Sequence, residues 1–306
     1  MPIIKGKVIA AFGKYIKVYH DTTEYNCTIR GKLLKKQLNS SPVAVGDNVE
    51  ISIGNDGIAS IEKVLPRRQL LSRPDILVKG KKQVIAVNLD QLVIITSTKD
   101  PQFKPGLIDR FLICAEIEKL QAAVVINKVD LADPKEFLVY AEAWESAGYR
   151  VIFTSALNGS GLTEFANLLK DKSSTLAGHS GVGKSSLLNA IQPQLNIRTK
   201  QISKTSGKGV HTTTSVIMHP LTFGGWVADT PGLKVFGLSG ATRSNLCTFF
   251  PEMTEHDDCR FNDCVHLNEP DCAVKAAVES GNISEFRYNN YKKIYEQLLD
   301  LKSWQF

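Results

Sequence analysis

Short runs of alternating apolar and polar residues fill the N-terminal part of the chain: Gly6–Ala11, Tyr15–Tyr19, Tyr25–Ile29, Val49–Ile53 and Gly57–Ile61. A period of two puts every second side chain on one face, so each run predicts a half-buried strand. Gly13, Asp21, Asn55, Asp56 and Gly57 supply turns between them. Short strands packed this densely predict a small barrel of the OB type.

After about Gln83 the pattern changes. Leu92–Thr96, Ala122–Ile126 and Val151–Thr154 are compact apolar runs, separated by helix-like stretches near Gly106–Leu120, Pro134–Ala147 and Gly161–Lys170. Continuous apolar strands alternating with helices predict a parallel sheet covered on both faces. Such sheets bind ligands at the carboxyl ends of their strands. Beyond about Gly237 the strand pattern stops, and Ala273–Ser280 and Ile283–Leu301 read as helices. Tyr288, Tyr291 and Tyr295 on the last helix read as a packing stripe, with base stacking the competing reading because Lys292 and Lys293 lie among them. The expected architecture is therefore multidomain: an OB-like β-barrel over residues 1–68, an α/β domain over 69–236 and a mainly helical module over 237–306.

Composition adds bounds to this picture. A chain of 306 residues with 43% hydrophobic and 22% charged residues is an ordinary globular protein, long enough for several cores. Its formal charge of +6 permits a polyanionic partner. Arg30–Lys36, between the third and fourth predicted strands, reads either as a surface that tracks a nucleic-acid backbone or as a solvated loop. Arg67, Arg68, Arg73, Lys79, Lys81 and Lys82, with Pro66 and Pro74, read as a flexible basic linker. The N-terminus lacks the apolar core of a secretory signal, and no apolar run approaches the roughly 18 residues of a membrane span. A cytoplasmic protein without a membrane partner is expected. Of six cysteines, Cys259, Cys264 and Cys272 crowd one polar stretch, which in a reducing compartment suggests metal before disulfide.

The chemistry is concentrated in a few motifs. Gly178-His179-Ser180-Gly181-Val182-Gly183-Lys184-Ser185 matches a phosphate loop, with Ser186 following. Its context fits, since Ser174–Ala177 can form the strand before it and Lys184–Ile191 the helix after it. Glycines let backbone N–H groups turn inward around phosphates, and the helix N-terminus favours anions. Lys184 would reach the β- and γ-phosphates, and Ser185 would hold magnesium. Asp229-Thr230-Pro231-Gly232 follows a strand-like Gly225–Ala228, which suits Asp229 to holding magnesium indirectly and Gly232 to meeting the γ-phosphate. Between these motifs lies Gly209-Val210-His211-Thr212-Thr213-Thr214. Thr213, with its neighbours as alternatives, is the candidate that completes magnesium coordination.

Asn127-Lys128-Val129-Asp130 reads as a guanine-recognition signature, in which Asp130 accepts the ring N–H and exocyclic amine bonds of guanine. Asn127 would meet the other edge of the purine, and the Lys128 stem would pack on its plane. Thr154-Ser155-Ala156, at the next strand end, would offer backbone N–H to the guanine oxygen. These base motifs precede the phosphate loop, the reverse of the usual GTPase order. A circular permutation that cuts the domain after its second switch accounts for this, because each motif keeps its strand.

Together these features resemble the circularly permuted ribosome small-subunit-dependent GTPase A family (RsgA, also called YjeQ). The resemblance covers barrel, permuted P-loop GTPase domain and cysteine module. The spacing of Cys259, Cys264, His266 and Cys272, with four, one and five residues between them, matches that family's zinc signature. Three thiolates and an imidazole suit one closed structural zinc site. His256 competes as a ligand, and the family pattern selects His266. The resemblance further implies GTP, GDP and magnesium as ligands. It implies the small ribosomal subunit and its rRNA as partners late in maturation, and turnover stimulated by that subunit. Leu233 stands where Ras-like enzymes place a water-orienting glutamine, and the family pattern transfers a catalytic role to His211. A monomer is the default expectation. The alternative reading is a nucleotide-gated RNA-binding regulatory module whose hydrolysis is incidental.

Overall fold

Alternating N-terminal runs give five strands: β1 (Ile3–Phe12), β2 (Tyr15–His20), β3 (Thr23–Ile29), β4 (Asn48–Ile53) and β5 (Ala59–Val64). In the computed structural model, which describes residues 3–13, 15–30, 42–54, 58–74, 82–197, 216–229, 238 and 240–303, these strands close a barrel. β1 is long enough for two neighbours. Its first half pairs with β4 and its second with β2, while β3 and β5 run parallel. Val8, Ile16, Val18, Val49, Ile51 and Ile61 fill the interior, as the alternation requires. Of the predicted basic loop, only Arg30 falls within the described residues, and it pairs with Glu62 at 2.9 Å.

Of the segment read as a flexible linker, the described residues are instead built structure, while Lys79 and Lys81 lie outside them. β6 (Leu70–Pro74) and β7 (Lys82–Val87) form an antiparallel pair. Leu71, Ala86 and Leu89 are buried against Leu92, Ile94 and Val45, so a few apolar positions outweigh the basic composition. Arg67 and Arg68 are also fixed. Arg67 makes two 2.8 Å bonds to the fully buried Asp47, and Arg68 reaches Asp90 at 3.1 Å.

The α/β domain contributes β8 (Gln91–Ser97), β9 (Gln121–Asn127), β10 (Arg150–Thr154), β11 (Ser173–Ala177), β12 (Ile217–Pro220) and β13 (Trp226–Asp229). They lie in the order β10-β9-β8-β11-β13-β12, parallel except for β12, which is antiparallel to β13. α1 (Pro105–Ile117), α2 (Leu138–Ser146), α3 (Leu162–Leu169) and α4 (Lys184–Ile191) connect them. β12 carries no strand signal in the sequence, because it has four residues and ends in proline. It is also where barrel and sheet become continuous, through the pair Ala10↔Ile217. Tyr19 packs edge-on against Trp226 there, with ring centroids 5.2 Å apart, and Lys7 Nζ donates to Ser173 Oγ at 3.3 Å.

The C-terminal module carries α5 (Pro251–Thr254), α6 (Ala273–Glu279) and α7 (Glu285–Ser303), with no strand among its described residues. It packs on α1, where Ile113 and Cys114 join Leu246, Phe250, Met253, Tyr291 and Ile294 in one apolar cluster. Tyr288, Tyr291 and Tyr295 are buried, as a packing stripe demands. At the centre of this contact, Arg287 is fully buried. Its guanidinium donates to Asp109 of α1 at 2.5 Å and to Glu252 of α5 at 2.6 and 3.1 Å. Asp109 also accepts from Trp144 Nε1 at 2.8 Å and Asn290 Nδ2 at 2.5 Å. Burial opposes the guanidinium charge, but the two carboxylates outweigh it and hold Arg287 protonated. No described helix is long and apolar enough to cross a membrane.

Candidate nucleotide site and metal centre

Parallel strands end side by side, so motifs far apart in the chain meet along one edge of the sheet. Gly178 through Gly183 form the loop from β11 into α4, and Lys184, Ser185 and Ser186 open that helix. Gly178 has φ +141, and a Cβ there would lie 2.1 Å from the Ile95 carbonyl oxygen. Only glycine lets the loop leave β11 this close to β8. Lys184 Nζ donates to the Gly178 and His179 carbonyls at 2.9 and 3.1 Å. Its ammonium therefore lies across the loop that can cradle a polyphosphate.

Asn127 ends β9 and joins the two halves of the site. Its Nδ2 donates to the Val182 carbonyl at 2.8 Å, and its Oδ1 accepts from Thr154 Oγ1 at 3.1 Å. Gly183 makes room for this. It has φ +98, and a Cβ would lie 2.3 Å from Asn127 Nδ2. Lys128 follows at φ +64, its Nζ donating to the Asp100 carbonyl. Asp130 accepts from Ser155 Oγ at 2.5 Å, and the same hydroxyl oxygen accepts from the Leu157 and Asn158 N–H groups, each at 3.2 Å. Ser155 and Ala156 lie directly after β10. The base and phosphate motifs thus form one hydrogen-bonded unit. Asp229 ends β13 with its backbone opposite Ile217. His211, Thr213, Gly232 and Leu233 lie outside the described residues.

Sequence reasoning passed over Thr98. It follows β8, its N–H donates to the Asn127 carbonyl at 3.0 Å, and its hydroxyl donates to the Lys128 carbonyl at 2.6 Å. No local motif marks it, because its partners lie some thirty residues further on.

In the C-terminal module the ligand atoms of Cys259, Cys264, His266 and Cys272 all lie within 4.8 Å of one another. His266 Nδ1 is 3.6, 3.5 and 3.4 Å from the three sulfurs, and the Cys259 and Cys272 sulfurs are 3.9 Å apart. A tetrahedral zinc site with ordinary Zn–S and Zn–N bonds has edges of about 3.8 Å (S–S) and about 3.5 Å (S–N). The three S–N edges and the Cys259–Cys272 edge agree with that tetrahedron, and His256 lies outside the group. Burial lowers the His266 pKa, which keeps the imidazole in the neutral form that ligates. The supporting shell is complete. Tyr288 and Tyr291 donate to the carbonyls of His266 and Val265 at 2.7 and 2.8 Å, and Glu269 accepts from the Val265 and Leu267 N–H groups at 3.0 and 2.8 Å. These partners hold the turn in which His266 takes φ +59.

A model of the RsgA GTPase family matches residues 64–239, and one of the RsgA N-terminal domain matches residues 5–61. The chain belongs to the RsgA GTPase family. Proteins named small ribosomal subunit biogenesis GTPase RsgA are similar along most of their length. That of Flavobacterium psychrophilum is 37% identical over 88% of this chain and 85% of its own. That of Chlorobaculum tepidum is 40% identical over 94% of this chain and 95% of its own. Among solved structures, YjeQ from Thermotoga maritima superposes with a TM-score of 0.79 at 36% identity, covering 97% of this chain and 99% of YjeQ. YloQ, described as a circularly permuted GTPase, gives 0.76 at 32% identity, covering 98% of this chain and 96% of YloQ. The expected fold is thus borne out: barrel, permuted P-loop GTPase domain and a C-terminal module whose cysteine and histidine cluster could hold a metal ion.

Proposed function

We propose that this RsgA-family GTPase acts in biogenesis of the small ribosomal subunit, binding the subunit late in maturation and hydrolysing GTP to GDP and phosphate under its stimulation. The observation that carries the reading is the Asn127–Val182 bond, which joins a guanine signature to a phosphate loop despite their permuted order. Curated relatives with the same name and near full-length similarity support the ribosomal partner.

In this reading Gly178 through Gly183 present N–H groups to the phosphates and Lys184 offsets their charge. Ser185 and Thr213 would hold magnesium, with Asp229 assisting indirectly, and the ion would supply positive charge to offset that developing on the phosphates. Gly232 meets the γ-phosphate. Asp130 reads the guanine edge, Asn127 and the Lys128 stem bound the base, and Ser155 with Ala156 offers N–H to its oxygen. Leu233 cannot orient water, so His211 takes that role once the subunit is bound. Cys259, Cys264, His266 and Cys272 would hold zinc, which would tie the C-terminal module together, and barrel and module contact rRNA. The protein works as a cytoplasmic monomer.

Co-sedimentation tests the reading. The full chain should pellet with small subunits in a non-hydrolysable GTP analogue and stay in the supernatant with GDP. Equal pelleting in both nucleotides, or none in either, contradicts it.

A further inference from the structure

Lys128 occupies a costly conformation. A non-glycine residue at φ +64 is in the left-handed region, which costs an L-residue free energy unless its surroundings enforce it. The turn matters because it fixes where the neighbours point: Asn127 towards the Val182 carbonyl and Asp130 towards Ser155. Three contacts from the segment leaving β8 hold it. Thr98 N–H donates to the Asn127 carbonyl at 3.0 Å, Thr98 Oγ1 donates to the Lys128 carbonyl at 2.6 Å, and Lys128 Nζ donates to the Asp100 carbonyl. Ser97, opposite Asn127 in the β8–β9 register, closes this segment by donating to the Pro101 carbonyl at 2.9 Å. Thr98 is 4% exposed, so water does not readily replace its hydroxyl at the Lys128 carbonyl.

We infer that Thr98 is a positioning residue for guanine selectivity, holding the Lys128 turn so that Asn127 and Asp130 meet the base in register. The inference rests on the nucleotide reading proposed above. Thr98 touches neither base nor phosphate in this scheme and acts through the backbone of the recognition turn. Its hydroxyl is the one part of the clamp that a near-isosteric substitution removes, because Thr98→Val keeps the β-branch and the backbone N–H. Thr98→Ser keeps the hydroxyl.

The test compares GTP with ITP, which lacks the exocyclic amine that Asp130 would accept. In Thr98→Val, KM for GTP should rise about 3- to 10-fold, the effect of one lost hydrogen bond, while kcat moves by less than about twofold. The GTP-over-ITP preference should shrink, because ITP has fewer contacts with Asp130 to lose. Thr98→Ser should restore both values. Loss of folded protein alone would lower apparent kcat for both nucleotides and leave their ratio unchanged. A wild-type GTP:ITP ratio and KM in Thr98→Val overturns the inference. Asp130→Asn, run alongside, separates the two levels: it should gain binding of xanthosine nucleotides. If it does so while Thr98→Val behaves as wild type, only the clamp fails. If it does not, the base-site reading fails and takes the clamp with it.

Discussion

Asn127 and Gly183 depend on each other. Asn127 Nδ2 occupies the space that a side chain at 183 would need, so substituting Gly183 both strains a φ of +98 and displaces the amide that joins the base and phosphate motifs. Gly183→Ala should weaken GDP and GTP binding by more than about tenfold, since a backbone outlier costs about 1–3 kcal/mol and a lost bond about 1 kcal/mol more. Titration with a fluorescent guanine nucleotide reads this directly, and wild-type affinity would contradict it. The phosphate-loop and guanine motifs are legible in the sequence because each carries its chemistry in contiguous residues. The contacts between motifs were not legible. Asn127 and Val182 are 55 positions apart, and nothing in either motif announces their bond. The same holds for Ser155 and Asp130, 25 positions apart. His211→Ala addresses the remaining residue-level claim. It should keep GTP affinity and lose subunit-stimulated turnover, measured as phosphate release at saturating subunit. Undiminished stimulation would remove His211 from the mechanism.

At the scale of elements, period and length made most of the strands and helices readable. The phosphate-loop helix begins and ends where its motif and apolar spacing predict, at Lys184 and Ile191. Two elements escaped for a shared reason: their stability is non-local. β6 and β7 carry basic residues and a proline and gain their place by burying Leu71 and Ala86 against residues of β8. β12 is four residues long and is held by β13 on one side and Ala10 of the barrel on the other. In the C-terminal module few long apolar runs exist, and its turn is organised by the Cys259, Cys264, His266 and Cys272 tetrahedron. Elemental analysis should find one zinc per chain, and Cys272→Ser should lower zinc content and melt this module before the rest. Full zinc occupancy and an unchanged melting profile in that variant would contradict the assignment. Arg287 is the other organiser. Removing it leaves Asp109 and Glu252 buried without their cation, so Arg287→Ala should cost about 3–5 kcal/mol in denaturant unfolding. A loss below about 1 kcal/mol would show that the carboxylates find another partner or water.

For the whole molecule, the order of motifs has a mechanical consequence. The chain runs from β13 and the following Asp229–Gly232 motif into the C-terminal module instead of into the base-binding half. A module attached in this way invites the picture of a domain that swings when the γ-phosphate is lost. In this structure that module is packed on the nucleotide domain. Arg287, Asn290 and the Tyr291 cluster tie α7 to α1, and α1 follows the segment that clamps Lys128. The barrel is tied as well, through the Ala10–Ile217 pair, the Val87 to Val45 bond of 2.9 Å, and the Asn88 to Gly46 bond of 3.0 Å. The barrel and the C-terminal module are therefore both docked on the domain that carries the nucleotide motifs, which suits a protein that presents one composite surface to a large partner. In the proposed function this surface is complementary to the small ribosomal subunit, and docking there switches on hydrolysis. Phosphate release by the full chain, measured with purified small subunits, with large subunits and alone, tests it most directly. Turnover should be slow alone and with large subunits and strongly accelerated by small subunits only; an unchanged rate with small subunits, or equal acceleration by large ones, would overturn the proposed function.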